Sequence, residues 1–199
     1  MFDSSLRNVK DQLATPVAMH LGRVSPITVT WVAFVVGLGS AFLAARGDYL
    51  WAVVFWTANR ALDGLDGLLA RLHDQQSDFG GYLDIILDHI IYAVVPIGLV
   101  LSAPSDDRYL ALAFMLATYY INGASWMYLA GILEKLNAHG DSTTTTIVMP
   151  AGLIGGAETI VAYYVFLLFP VRMEILFVIF GLLVLFTTIQ RLIWARRNL

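Results

Sequence analysis

Six apolar stretches, each close to the length that crosses a bilayer, leave this chain few folds to choose from. They run over residues 25–45, 50–72, 79–102, 109–133, 147–169 and 171–194. A spanning helix needs about 20 predominantly apolar residues. The segments between them are short and carry breaker or charge signals, as in "ARGDY", "SAPSDDR" and "FPVRME", so consecutive helices should be antiparallel neighbours. With 58% hydrophobic and 14% charged residues among 199, the chain is too apolar for an ordinary soluble domain. The expected fold is an all-α membrane protein with six transmembrane helices, one integral-membrane domain over 1–199 with the bundle at 25–194. Residues 1–22 place Leu6, Val9, Leu13, Val17 and Leu21 at spacings of three or four, predicting an amphipathic interfacial helix with a break near Pro16.

Threading the chain through six spans puts Arg7, Lys10, Arg23, Arg71, Lys135, Arg196 and Arg197 on one side and Arg46, Arg108 and Arg172 on the other. The positive-inside rule then assigns both termini to the cytoplasm. No cysteine is present, which removes disulfides and thiolate chemistry from consideration. The tract "STTTT" at 142–146 reads as a loop or a helix cap.

Against this apolar background stands "DGLDGLLARLHDQQSDFGGYLDIILD", residues 63–88. A charged side chain near the bilayer centre costs at least about 2.5–3.5 kcal/mol, so Asp63, Asp66, Asp84 and Asp88 need compensation. Asp63 and Asp66 fall in the inner half of the second span, and Asp84 and Asp88 in the first turns of the third, at comparable depth. At about 100° per residue, Asp63, Asp66, Gly67 and Ala70 share one helix face with Arg71 at its margin. Asp84 and Asp88 are spaced i, i+4 and share another.

Four converging carboxylates require either proton uptake or metal, with Arg71 the cation within the motif. Oxygen-only donors point to a hard divalent ion such as Mg²⁺, Mn²⁺ or Ca²⁺. Four Asp residues can hold two such ions, an arrangement suited to phosphoryl transfer. Gly67, Ala70, Gly80 and Gly81 leave room for a phosphate-bearing ligand. Buried salt bridges, or helix capping by Asp78 or Asp84, are the structural alternative, and a cation or proton pathway, as in a membrane transporter or channel, is the other functional one.

The spacing from Asp63 through Asp66, Gly67, Ala70, Arg71, Gly80 and Asp84 to Asp88 resembles, without a gap, the signature of the CDP-alcohol phosphatidyltransferase family. That resemblance implies a six-helix enzyme of phospholipid biosynthesis, in the inner membrane with its active site facing the cytoplasm. It would transfer a substituted phosphate from a CDP-alcohol such as CDP-diacylglycerol to an alcohol and release CMP. It implies Asp63, Asp66 and Asp84 as ligands of Mg²⁺ or Mn²⁺, two ions in all, with Asp88 the catalytic base and a contributor to the second metal. Gly67, Ala70 and Gly80 would line the nucleotide site and Arg71 would meet phosphate. The implied partners are a CDP-lipid donor, a small alcohol, membrane lipids and a second copy of the chain, but no nucleic acid. Where many members carry Thr-Pro-Asn before the first span, this chain has Ser25, Pro26 and Ile27, which alters a polar contact there.

An acceptor carrying phosphate needs further basic residues. Lys135 and Arg191 are the candidates, with His139 nearby in sequence; each also reads as a membrane-edge or lipid-anchoring cation. Glu158, in the glycine-rich "GLIGGAETIVAYY", is a candidate for binding an acceptor's amine or hydroxyls, or a helix-to-helix contact.

Overall fold

A computed structural model describes Thr15, Ala18, Met19, residues 24–139 and residues 152–199. Most of the expected interfacial helix, and the 142–146 tract, lie outside the described residues. Six α-helices occur among them: α1 Pro26–Ala45, α2 Tyr49–Leu72, α3 Asp78–Ser102, α4 Asp106–His139, α5 Gly156–Leu168 and α6 Met173–Asn198, with a 3₁₀ turn at Pro170–Arg172 before α6. Among the described residues, three segments are long and apolar enough to cross a membrane: Pro26–Ala45, Asp78–Ser102 and Pro170–Asn198. Helix α2 has the length but carries Arg60, Asp63, Asp66 and Arg71. Outward side chains such as Val35 and Phe42, 63% and 62% exposed, form the kind of apolar surface that lipid, not water, accommodates.

Local chemistry explains the helix ends. Pro26 sits in the first turn of α1, where a missing N–H costs nothing. The chain then reverses through Gly47 at φ +80°. Ser77, not an aspartate, caps α3 by accepting from the Gly80 amide at 3.1 Å, which sets aside the capping alternative for Asp84.

Helix α5 corrects the fifth expected span. The window from residue 147 predicted a helix of spanning length, whereas the helix begins at Gly156 and has 13 residues, about 20 Å at 1.5 Å per residue. Side chains consume the amides just before it. Leu153 donates to Gln190 Oε1 at 3.1 Å, Ile154 to Thr187 Oγ1 at 2.9 Å and Gly155 to Glu158 Oε2 at 3.0 Å. Gly152 is required for that approach, because a Cβ there would lie 2.2 Å from Thr187 Cγ2.

The described residues fall into two compact units. One holds the chain up to Ser105 together with Ile160–Met173; the other holds Asp106–Thr159 and Glu174–Leu199. In the first, α1 packs on both α2 and α3. The α1–α3 crossing is close enough that a Cβ on Gly98 would sit 2.3 Å from the Ala41 carbonyl oxygen. Buried polar groups pin α1 to α2: Ser40 donates to the Ala52 carbonyl and Asn59 to the Ala33 carbonyl, both at 2.8 Å. Trp56 stacks on Tyr163 with ring centroids 4.9 Å apart, and the Tyr163 hydroxyl donates to the Tyr92 carbonyl. In the second unit, Arg108 pairs with Glu174 at 3.2 Å, and Asn122 of α4 receives Thr188 and Arg191 of α6.

Candidate active site

The turn between α2 and α3 sets the site. His73 closes α2 by donating to the Leu69 carbonyl at 3.1 Å, and Gln75 donates to the Ala70 carbonyl at 2.9 Å. Asp74 takes a positive φ of 50°, a conformation aspartate tolerates better than most residues. The chain therefore doubles back within a few residues, and the acidic faces of α2 and α3 meet.

Asp63, Asp84 and Asp88 each offer a carboxylate oxygen, and these oxygens lie within 4.8 Å of one another. Hard divalent cations bind oxygen at about 2.0–2.6 Å, so ligands around one ion are separated by such distances. Asp66 is 5% exposed, and its Oδ2 is buried without a hydrogen-bond partner. An orphaned carboxylate oxygen is costly in a dry site, and a cation is the partner its chemistry calls for. The donor set therefore fits a divalent metal.

Beside the carboxylates opens a cleft of about 280 Å³, bordered by Asp66, Asp84, Gly67, Ala70, Arg71 and Gly80, and by Ile27 and Thr30 of α1. The four positions expected to receive nucleotide and phosphate thus share one wall with two of the acids. Gly67 sits close to the Arg71 guanidinium: a Cβ there would lie 3.3 Å from Nη1. The departure at Ile27 falls on this same rim.

Arg60 is the residue that sequence reasoning missed. Arg71 is not the sole counter-charge, since Arg60 meets Asp88 with both ends of its fork, Nη2 to Oδ1 at 2.7 Å and Nη1 to Oδ2 at 3.1 Å. It also approaches Asp63 Oδ2 at 3.7 Å. Its position was readable in part: three residues before Asp63, it falls about 60° away on the same helix face.

The acceptor candidates belong to the second unit. Arg191 is 7% exposed; its Nη1 donates to the carbonyl and side-chain oxygens of Asn122 at 3.2 and 3.0 Å, while its buried Nε has no hydrogen-bond partner. Lys135 is exposed on α4. Glu158 is exposed, and one carboxylate oxygen accepts from the Gly155 amide. His139 ends α4, and its side chain lies outside what is described.

The sequence profile of the CDP-alcohol phosphatidyltransferase family matches residues 23–190. The chain is 36% identical over 173 residues to the inner membrane protein YnjF of Escherichia coli (strain K12), an alignment covering 86% of this chain and 82% of that protein. It is 24% identical over 203 residues to the archaetidylinositol phosphate synthase of Methanothermobacter thermautotrophicus, covering 100% of this chain and 94% of the relative. Its fold is similar to crystal structures of the Mycobacterium tuberculosis phosphatidylinositol phosphate synthase PgsA1. The form with CDP-DAG bound gives a TM-score of 0.69 at 21% identity, covering 91% of this chain and 92% of that one. The form in complex with manganese and citrate gives 0.69 at 22% identity, covering 90% and 87%. The match runs through both halves of the acidic motif and past Glu158 on α5 to the residue before Arg191, and the chain belongs to the CDP-alcohol phosphatidyltransferase family.

Proposed function

We propose that this transferase moves the phosphatidyl group of CDP-diacylglycerol to a phosphate-bearing polyol at the cytoplasmic face of the inner membrane, releasing CMP. The observation that carries this reading is the meeting of Asp63, Asp84 and Asp88 from two helices, their oxygens within 4.8 Å, beside a cleft walled by Gly67, Ala70, Arg71 and Gly80.

Asp63, Asp66, Asp84 and Asp88 hold two divalent ions, Mg²⁺ or Mn²⁺. When bound, such ions neutralise the donor's pyrophosphate and stabilise departing CMP. Gly67, Ala70 and Gly80 admit the nucleotide, and Arg71 presents donors to phosphate. Asp88 takes the proton of the acceptor hydroxyl. The acceptor oxygen then bonds to the lipid-bearing phosphorus, and the bond from that phosphorus to the bridging oxygen breaks, so CMP leaves with the electron pair. Arg60 leaves Asp88 able to accept, because each carboxylate oxygen has a second lone pair.

A phosphate on the acceptor is supported by Arg191, a buried guanidinium whose Nε has no hydrogen-bond partner and whose Nη1 binds neutral oxygens, and by the names of the inositol-phosphate synthases to which the chain is similar. Lys135 and Glu158 complete the acceptor-binding set in this reading. The helical chain lies in the inner membrane with both termini cytoplasmic, and the enzyme works as a homodimer.

CMP release from CDP-diacylglycerol with Mg²⁺ or Mn²⁺ and a panel of acceptors tests this directly. Phosphorylated polyols should support turnover above their unphosphorylated counterparts. Background CMP with every acceptor, together with cation flux in liposomes, would replace the transferase by a transporter.

A further inference from the structure

Arg60 is held more tightly than a residue meant to receive substrate needs to be. Its Nε donates to Asn59 Oδ1 at 2.8 Å, and Asn59 Nδ2 donates in turn to the Ala33 carbonyl of α1 at 2.8 Å. Its Nη1 reaches the Tyr92 hydroxyl at 3.1 Å as well as Asp88. The guanidinium carbon lies 5.0 Å from the Trp56 ring centroid and 5.3 Å from that of Tyr92. Only 6% of the residue is exposed. Protein surrounds the group: two rings lie beside it, its Nε edge meets an amide fastened to α1, and its fork meets Asp88.

We infer that Arg60 is a positioning residue that acts through Asp88, a fixed two-toothed clamp that presents this carboxylate to the reaction in one orientation. The clamp runs from the α1 backbone through Asn59 and Arg60 on α2 to Asp88 on α3, so three helices share in setting one carboxylate plane. A guanidinium suits this task because its donors form a rigid planar fork that matches a carboxylate and lies flat on aromatic rings. A lysine ammonium carries the same charge but cannot grip both oxygens in one plane. Arg60 does not line the cleft, which separates its work from that of Arg71 on the cleft wall. The inference rests on the transferase reading, and it adds a residue outside the Asp-to-Asp motif to the machinery.

The test uses the full chain in lipid nanodiscs and the variants Arg60→Gln, Arg60→Lys and Asn59→Ala. Mn²⁺ binding to the resting protein is followed by the electron paramagnetic resonance of free Mn²⁺, and kcat and donor KM come from CMP release. For Arg60→Gln we expect kcat to fall about 100-fold, with the KM for CDP-diacylglycerol within about threefold of the parent. Mn²⁺ should bind no more weakly, because a cation beside the carboxylates has been removed. Lysine should recover no more than about a tenth of the parent kcat, and Asn59→Ala, which leaves Arg60 in place but unfastened, should cost about tenfold in kcat with Mn²⁺ binding unchanged.

Mn²⁺ affinity falling about tenfold in step with kcat would mean that Arg60 merely holds the acidic cluster together. Full recovery by lysine would mean that charge alone matters, and either result overturns the clamp. If Arg60→Gln does not fold, Asn59→Ala decides, since an unchanged kcat there also overturns it. Failure of the parent protein to release CMP would instead bring down the transferase reading, while the Mn²⁺ titration remains interpretable by itself.

Discussion

Two polar clusters among the described residues, one half-buried and one buried, solve opposite electrostatic problems. In the first unit, Asp63 and Asp88 contact Arg60, Asp84 brings a third carboxylate to within 4.8 Å of theirs, and one Asp66 oxygen is buried without a hydrogen-bond partner, so acids outnumber that cation. In the second, Arg191 is buried against Asn122, whose oxygens are neutral, and its Nε is buried without one. A cluster with surplus negative charge draws cations, and a buried guanidinium held only by amide oxygens draws anions. On the proposed function, the difference means that the chain divides its chemistry by sign: metal and nucleotide at the acidic cluster, an anionic acceptor at the basic one.

Removing an acid should separate the two clusters most sharply. Asp63→Asn or Asp84→Asn should lower turnover on the order of 10³-fold and weaken Mn²⁺ binding. Asp88→Asn should abolish turnover while largely retaining the CDP-lipid, and unchanged turnover would remove Asp88 from the role of base. Chelation of divalent ions should silence the parent enzyme and be reversed by adding Mg²⁺ or Mn²⁺. An Arg191→Gln variant that lost Mn²⁺ binding to the same degree would break the division by sign.

Arg191→Gln should instead raise the KM for a phosphorylated acceptor about 10-fold to 100-fold, leaving the donor KM within about threefold. Lys135→Ala, at an exposed position, should act in the same direction but more weakly. Equal effects on phosphorylated and unphosphorylated acceptors would reduce both residues to structural or membrane-edge roles.

A further substitution isolates packing from chemistry. Gly98→Val would drive its Cβ into the Ala41 carbonyl, 2.3 Å away on rigid backbone, and should destabilise the α1–α3 crossing by about 1–3 kcal/mol. A lower thermal midpoint in detergent checks this, with Mn²⁺ affinity preserved in the fraction that remains folded.

What could be read from the chain before its structure follows the reach of each interaction. Positions of α1, α2, α3 and α6 follow from apolar runs and local breakers, and they fall within a few residues of the windows that predicted them. The Asp pairs could be placed together because i, i+3 and i, i+4 phase is local and the connection between their helices is short. Arg60 was not legible as a partner of Asp88 because its grip depends on Trp56, Tyr92 and Asn59 converging from two helices; only its phase relative to Asp63 was visible. The start of α5 was hidden for a similar reason. Nothing in "GLIGGAE" announces that Thr187 and Gln190, more than thirty residues away, take the amides that would otherwise enter a helix.

Glu158 carries the smallest expected effect and the finest test of the division by sign. It is an acid in the unit that holds the basic cluster, and its visible contact is to the Gly155 amide, three residues back, at the N-terminus of α5. A carboxylate there satisfies an amide that has no helical partner and complements the positive end of the helix dipole. If that is the whole of its work, Glu158→Gln should lower stability by less than about 1 kcal/mol, because an amide oxygen can still accept from Gly155. Acceptor KM should then stay within about twofold of the parent. A larger rise, about tenfold and confined to acceptors bearing an amine or several hydroxyls, would instead place Glu158 among the acceptor's contacts. The second cluster would then read an acceptor with both signs of charge, phosphate through Arg191 and polar hydrogens through Glu158, and the separation would hold for the metal alone.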